Sequence, residues 1–249
     1  LWRVPRRAWC AVLPIVLALA ASNAVFHAAG AAGDVALAQS ALRASLWVLV
    51  LLFTLTGGLL TPVFTGNALR STKRGDVRAV SWPLEAAALA ALLALAVVDT
   101  LGIGGAASAV LAALCLALHA WRVARWRGWR VLDVPLVPGL HAGFAWLLAA
   151  LALKALGDLG VLPPALWVHA FTVGALGQVM MSLMTRVALR HTGRALQPPA
   201  ALAWTGWAVA TATFIWGPTQ QPVVLPAGLT GQVEVLGLEL SRYKLFLLG

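Results

Sequence analysis

The chain carries five histidines, His27, His119, His141, His169 and His191, and these are its main candidates for chemistry. Imidazole ligates haem iron, copper and zinc, and imidazoles borne by separate helices can converge in a bundle core. The plain alternative for each is a hydrogen-bonded packing residue, or simple solvation for His119 and His191 near an interface. Met180 and Met184 lie four residues apart and offer thioether sulfur, a soft donor suited to Cu(I); packing is their ordinary use. Arg186, Arg190, His191 and Arg194 form a basic cluster able to hold a carboxylate, such as a haem propionate, by charge-assisted hydrogen bonds. Alternatively, that cluster simply anchors the chain at lipid headgroups. No GxxxxGK loop, GxSxG elbow or HExxH pair occurs. The expected spans contain no paired carboxylates, so hydrolytic and phosphoryl-transfer chemistry is unsupported. Cys10 and Cys115 lie far apart inside apolar segments and read as small core residues.

The elements that must position these groups are set by the solvent. Of 249 residues, 61% are hydrophobic and 10% charged, with mean hydropathy +0.88. Soluble domains carry about 45–50% apolar and about 25% charged residues. A soluble enzyme, a disordered chain and a disulfide scaffold are thereby excluded, and the solvent is lipid. A crossing helix needs about 20 mostly apolar residues. Seven segments qualify: 8–30, 45–63, 83–98, 103–121, 134–155, 164–186 and 200–216. The third is short and begins beside Glu85. Prolines 218, 222 and 226 stop the seventh, leaving 218–249 as a divergent segment without a clear span.

The formal charge is +10, yet Lys and Arg fall in short clusters between uncharged runs. A nucleic-acid binder would gather them into one stripe, so no nucleic-acid partner is expected. Fourteen of the eighteen basic residues lie on alternate connections, which the positive-inside rule reads as cytoplasmic. The fold class is therefore all-α: a polytopic transmembrane helix bundle over residues 1–217, with its N-terminal end cytoplasmic. Trp47, Trp82, Trp121, Trp129 and Trp167 fall near span ends, where amphipathic rings prefer the headgroup layer. Because the chain begins with Leu1, it reads as a piece of a longer protein.

Depth along each span follows from about 1.5 Å per residue. His119 falls at the inner end of span four and His141 about 10 Å up span five, with His191 at the edge of that layer. His27 and His169 form an outer layer, His169 about 8 Å inside its end. At 100° per residue, His169, Thr172, Val173, Leu176, Met180 and Met184 share one face of span six. Gly174, Gln178, Met181 and Thr185 share the other, where small residues suit close helix packing.

An ordered series of motifs carries a resemblance. Leu60-Thr-Pro-Val-Phe-Thr-Gly-Asn-Ala-Leu69, Leu118-His-Ala-Trp-Arg122, Trp126-Arg-Gly-Trp129 and Leu140-His-Ala-Gly-Phe-Ala-Trp146 are followed by His169-Ala-Phe-Thr-Val-Gly-Ala-Leu-Gly177 and Met184-Thr-Arg-Val-Ala-Leu-Arg-His-Thr-Gly-Arg194. This series resembles the NnrS family, bacterial multi-spanning membrane proteins associated with haem, copper and the nitric-oxide response. The resemblance covers about 41–197. It departs from the family at Leu59 and Gly66, where Arg is common, at Phe144, where Tyr is usual, and at Arg190, where Gly is usual. The family's His-rich N-terminal segment is absent.

The resemblance implies haem and copper as cofactors and nitric oxide as a ligand. His119, His141, His169 and His191 become the candidate metal ligands, Arg186 and Arg194 candidate propionate contacts, and Met180 and Met184 secondary copper candidates. His27 lies outside the motifs and ranks lower. The location it implies is the bacterial cytoplasmic (inner) membrane, with the lipid bilayer as partner. Turnover, sensing and protection remain open alternatives. So do a histidine-lined transporter or channel, which calls for inverted repeats and broken midplane helices, and a quinone-linked cytochrome b.

Overall fold

The computed structural model describes residues 12–195 and six isolated positions beyond them, 205, 208, 234, 235, 238 and 239. The expected seventh span and the segment 218–249 lie outside the continuous described region. Six helices are long and apolar enough to cross a membrane. They are α1 (Val12–Ala32), α2 (Val35–Ser71), α3 (Trp82–Thr100), α4 (Ala106–Arg125), α5 (Pro138–Asp158) and α6 (Leu166–His191). Leu13, Val16, Val97, Val110 and Met184 are among many large apolar side chains on the outside, the surface a lipid solvent requires.

Two helices run further than hydropathy suggests. α2 has 37 residues, about 55 Å at 1.5 Å per residue, against an expected 45–63. Asp34 caps it, accepting from the Leu37 N–H at 3.0 Å. It continues through Pro62, which cannot donate to the Gly58 carbonyl; transmembrane helices tolerate such a break because neighbours re-satisfy the backbone. α3, expected over 83–98, runs to Thr100 and so includes Asp99.

α5 and α6 approach closely through small residues. A Cβ on Gly139 would overlap Ser182 Oγ, one on Gly143 would overlap Val179, and one on Gly174 would overlap the Trp146 indole. Gly139 and Gly143 are four apart, the spacing that lets transmembrane backbones meet. The buried residues of α6 are Trp167, Ala170, Phe171, Gly174, Ala175, Gln178, Val179 and Ser182. They form two rows at a spacing of four. In a regular helix a spacing of four drifts about 40° per step. Here residues Ala170–Gly177 are π-helical, and this wider turn offsets that drift. The 100° wheel sorts most of span six: none of His169, Thr172, Val173, Leu176, Met180 and Met184 is buried, while Gly174 and Gln178 are. Met181, set on the face of Gly174 and Gln178, is instead exposed.

Charges buried between helices hold the bundle. Lys154, 3% exposed, meets Asp99 Oδ1 at 2.8 Å and Asp158 Oδ1 at 2.5 Å. Trp47 Nε1 donates to Asp99 Oδ2 at 2.7 Å, and Ser108 Oγ donates to Asp158 Oδ2 at 2.6 Å. At the opposite end Arg122 Nε lies 2.7 Å from Glu85 Oε2. Paired carboxylates thus do occur at a span end, because the helices extend past the apolar runs that defined the expected spans. Between the two ends lies an aromatic core. Phe53 packs on Phe144 and Phe171, Trp126 meets Phe144 edge-on, and Trp47 stacks on Trp167.

The α2–α3 and α4–α5 connections are tied at the arginine-rich end. Arg74 grips Asp133 with two hydrogen bonds, at 2.5 and 2.9 Å, and holds that carboxyl below its ordinary range. Asp76 is lowered chiefly by its hydrogen bond from Arg70, with help from the Val77 N–H.

Removing one partner of a buried ion pair strands the other charge, which typically costs about 3–5 kcal/mol. Lys154→Met should therefore unfold the bundle markedly earlier in mixed micelles, and adding Asp99→Asn with Asp158→Asn should restore most of the loss. A Lys154→Met variant as stable as the parent would refute the clamp. In the loops, a depressed carboxyl contributes stability above its ordinary range and loses it as pH falls through the lowered value. The melting gap between the parent and Asp133→Asn should accordingly close on acidification from pH 6 to 3.

Candidate functional site

One stripe of α4 carries the chemistry. Ser108, Ala109, Ala112, Cys115, His119 and Arg122 are its buried residues, and from Ala109 onward they are three or four apart and so on one face. His119 was expected at the interface because the apolar run ends at Trp121. The helix instead continues to Arg125, which places His119 about 9 Å inside its end. The extension is stable because both arginines find partners there: Arg122 pairs with Glu85, and Arg125 Nη2 donates to the Ala79 carbonyl at 2.6 Å.

His119 is 0% exposed, and neither Nδ1 nor Nε2 has a hydrogen-bond partner. An unmade hydrogen bond on a buried polar group costs about 1–3 kcal/mol, so a side chain with two such nitrogens calls for an explanation. One turn further on, Arg122 is 6% exposed. Its Nε is paired with Glu85 by distance but is not aligned for a hydrogen bond. Nη1 reaches the Thr54 carbonyl at 3.3 Å, and the guanidinium lies 5.4 Å from the Trp126 ring centroid. The space it fills exists because residue 58 is glycine; a Cβ there would overlap the guanidinium.

His141, half-buried on the second turn of α5, contacts Thr65 Oγ1 through Nε2 at 2.9 Å. The Thr65 hydroxyl donates to the Thr61 carbonyl at 2.7 Å. It has only one proton, so toward His141 it accepts. With that bond kept, His141 would meet Thr65 as the Nε2–H tautomer, with Nδ1 as its lone-pair nitrogen. Trp126 lies 6.2 Å from the His141 ring, centroid to centroid. Gly128 backs the ring closely, since a Cβ there would overlap it.

His119 and His141 thus sit on neighbouring helices at the same end of the bundle, near Trp126 and the Glu85–Arg122 pair. The other candidates lie elsewhere. His27 is exposed on α1 beside Phe26, ring centroids 5.5 Å apart. His169 is half-buried where α6 turns π-helical. His191 is exposed at the end of α6, and Arg194 is exposed beyond it. Arg186 is half-buried, with its guanidinium 4.2 Å from the Phe64 ring centroid. Met180 and Met184 are 49% and 59% exposed. Among the described residues no group of three His, Cys, Asp or Glu side chains is placed to hold a metal ion.

The sequence reading missed the Glu85–Arg122 pair, having placed Arg122 in a connection and Glu85 at a span start. The available signal was the i, i+3 spacing of His119 and Arg122, which sets both on one helical face.

A family model described as NnrS protein matches residues 1–231 of the chain. No curated protein and no solved structure matches it.

Gly→Ala in a helix normally stabilises by about 0.5–1 kcal/mol. Overpacking a filled site costs about 1–3 kcal/mol. At Gly58 the second effect should win, because the added methyl occupies the Arg122 guanidinium position. Gly58→Ala is therefore expected to lower the unfolding midpoint, whereas Gly30→Ala, with open space around it, should not. Equal effects of the two substitutions in a thermal melt would contradict this packing.

Proposed function

The chain belongs to the NnrS family, and on that premise we propose that it is a membrane protein of the nitric-oxide response whose haem ligand is His119, with His141 as the second nitrogen donor. The observation that carries this reading is the buried His119 imidazole with both nitrogens unpartnered. Such a donor suits a metal, because coordination satisfies a nitrogen that water cannot reach. Haem can be held by a single nitrogen from the protein, which His119 would supply, with His141 as the neighbouring candidate. A copper site built wholly from three or more protein donors has less support, since no such group is assembled among the described residues.

Haem bound here would supply an iron centre that accepts nitric oxide, a gas that concentrates in lipid. The rest is done by the chain. Thr65 fixes His141 in the Nε2–H tautomer, so its remaining lone pair lies on Nδ1. Glu85 neutralises Arg122, keeping a bare cation away from the neighbouring imidazole. The aromatic core of Phe144, Phe53 and Trp126 excludes water from the interior. The transporter alternative calls for discontinuous helices at the midplane; α2 instead continues through Pro62 and α6 through its π-helical stretch.

The test is the absorption spectrum of the full chain purified from haem-supplied cells. A Soret band is expected in the parent and in His27→Ala, and its loss or shift in His119→Ala. An unchanged band after replacing both His119 and His141 would overturn the assignment.

A further inference from the structure

The two connections at the arginine-rich end form a surface that the haem reading does not use. With the helix ends that adjoin them they hold Arg70, Lys73, Arg74, Arg78, Arg125, Arg127 and Arg130, against only Asp76 and Asp133. Arg70 and Arg74 neutralise those two carboxylates. Among the described residues, the other five cations have no carboxylate partner.

The loops are built as one unit. Arg74 Nη1 donates to the Arg130 carbonyl at 2.9 Å, and Arg130 Nη1 returns a bond to the Arg74 carbonyl at 3.2 Å. Arg127 Nη1 reaches the Asp76 carbonyl at 3.4 Å, and the Arg78 N–H donates to the Arg125 carbonyl at 3.1 Å. Between the loops lies an open cleft of about 330 Å³ lined by Arg74 and Arg130. The non-glycine residues with positive φ among those described, Lys73, Arg127 and Leu136, all fall in these two loops. Side-chain-bearing residues rarely adopt that conformation without a reason in the surroundings.

We propose that this cleft binds the phosphate of an anionic phospholipid, bridging the two connections. A guanidinium has five N–H donors in a planar fork that matches phosphate oxygens. Arg130 commits only one of its donors to the Arg74 carbonyl. The cleft lies at the ends of the membrane helices, where Trp82, first residue of α3, and Trp129, next to Arg130 in the chain, are 78% and 61% exposed. Exposed tryptophans at that level mark the headgroup layer, which makes a lipid rather than a soluble phosphate the occupant. Basic pockets at the surface ends of helices are a recurring mode of anionic headgroup recognition.

The full chain, reconstituted in nanodiscs of phosphatidylcholine with or without phosphatidylglycerol, tests this through its thermal midpoint. Phosphatidylglycerol is expected to raise the midpoint by about 2–4 °C. Arg130→Gln should lose most of that shift. Arg78→Gln, which removes a cation from the same surface but not from the cleft lining, should keep more of it. Arg130→Lys retains the charge without the fork and should keep an intermediate shift. No shift in the parent, equal losses in Arg130→Gln and Arg78→Gln, or a full shift in Arg130→Lys would each overturn the proposal. So would the same shift produced by inorganic phosphate in phosphatidylcholine nanodiscs, which would make the ligand a soluble anion.

Discussion

Charge compensation inside a low-dielectric solvent is the constraint on which the arrangement rests. Lipid gives apolar helix faces no reason to prefer each other over acyl chains, so association depends on close packing and polar contacts. α3 shows this most clearly. It offers few buried side chains, yet each end carries one carboxylate. Glu85 meets Arg122 of α4, and Asp99 meets Lys154 of α5. The two attachments fix its position and depth together. A carboxylate left without its cation in that medium would cost several kcal/mol.

Between the charged ends, glycine does the remaining work. Gly139 and Gly143 bring α5 against α6, and Gly174 leaves room for the Trp146 indole. The π-helical stretch of α6 belongs to the same solution. Buried positions recur there every four residues, and the wider turn offsets the drift of such a repeat. Gly58 has a different partner: its bare backbone admits a guanidinium, so the charge clamp and the glycine contacts are not independent features.

Among the described residues, Thr61 Oγ1 and Gln178 Oε1 are, like the His119 nitrogens, buried without a hydrogen-bond partner, but His119 is the imidazole among these groups. Arg122, Lys154, Thr65 and His141 all find a partner in neighbouring helices, whereas both nitrogens of His119 remain unmatched. Polar groups in a membrane interior are expensive and usually functional, and an imidazole is the side chain best suited to turn that expense into coordination. The arginine-rich loops below it belong to another layer of the protein. There water competes with each ion pair, and the reciprocal bonds of Arg74 and Arg130 give shape more than stability.

The helical class, the membrane solvent and the approximate places of the six described helices follow from composition and apolar run length, because a bilayer demands both of any chain that crosses it. The family was also legible in the ordered motifs around His119, His141 and His169. Helix ends were not, since hydropathy stops at the first charge, while a charge with a partner lets the helix continue, as Thr100, Arg125 and Asp158 show. Nor could a regular wheel reveal the π-helical stretch of α6, or that Met181 faces outward beside Met180. Which charges are buried, and which imidazole lacks a partner, depends on side chains that meet across helices from distant parts of the sequence, and only tertiary packing decides those meetings.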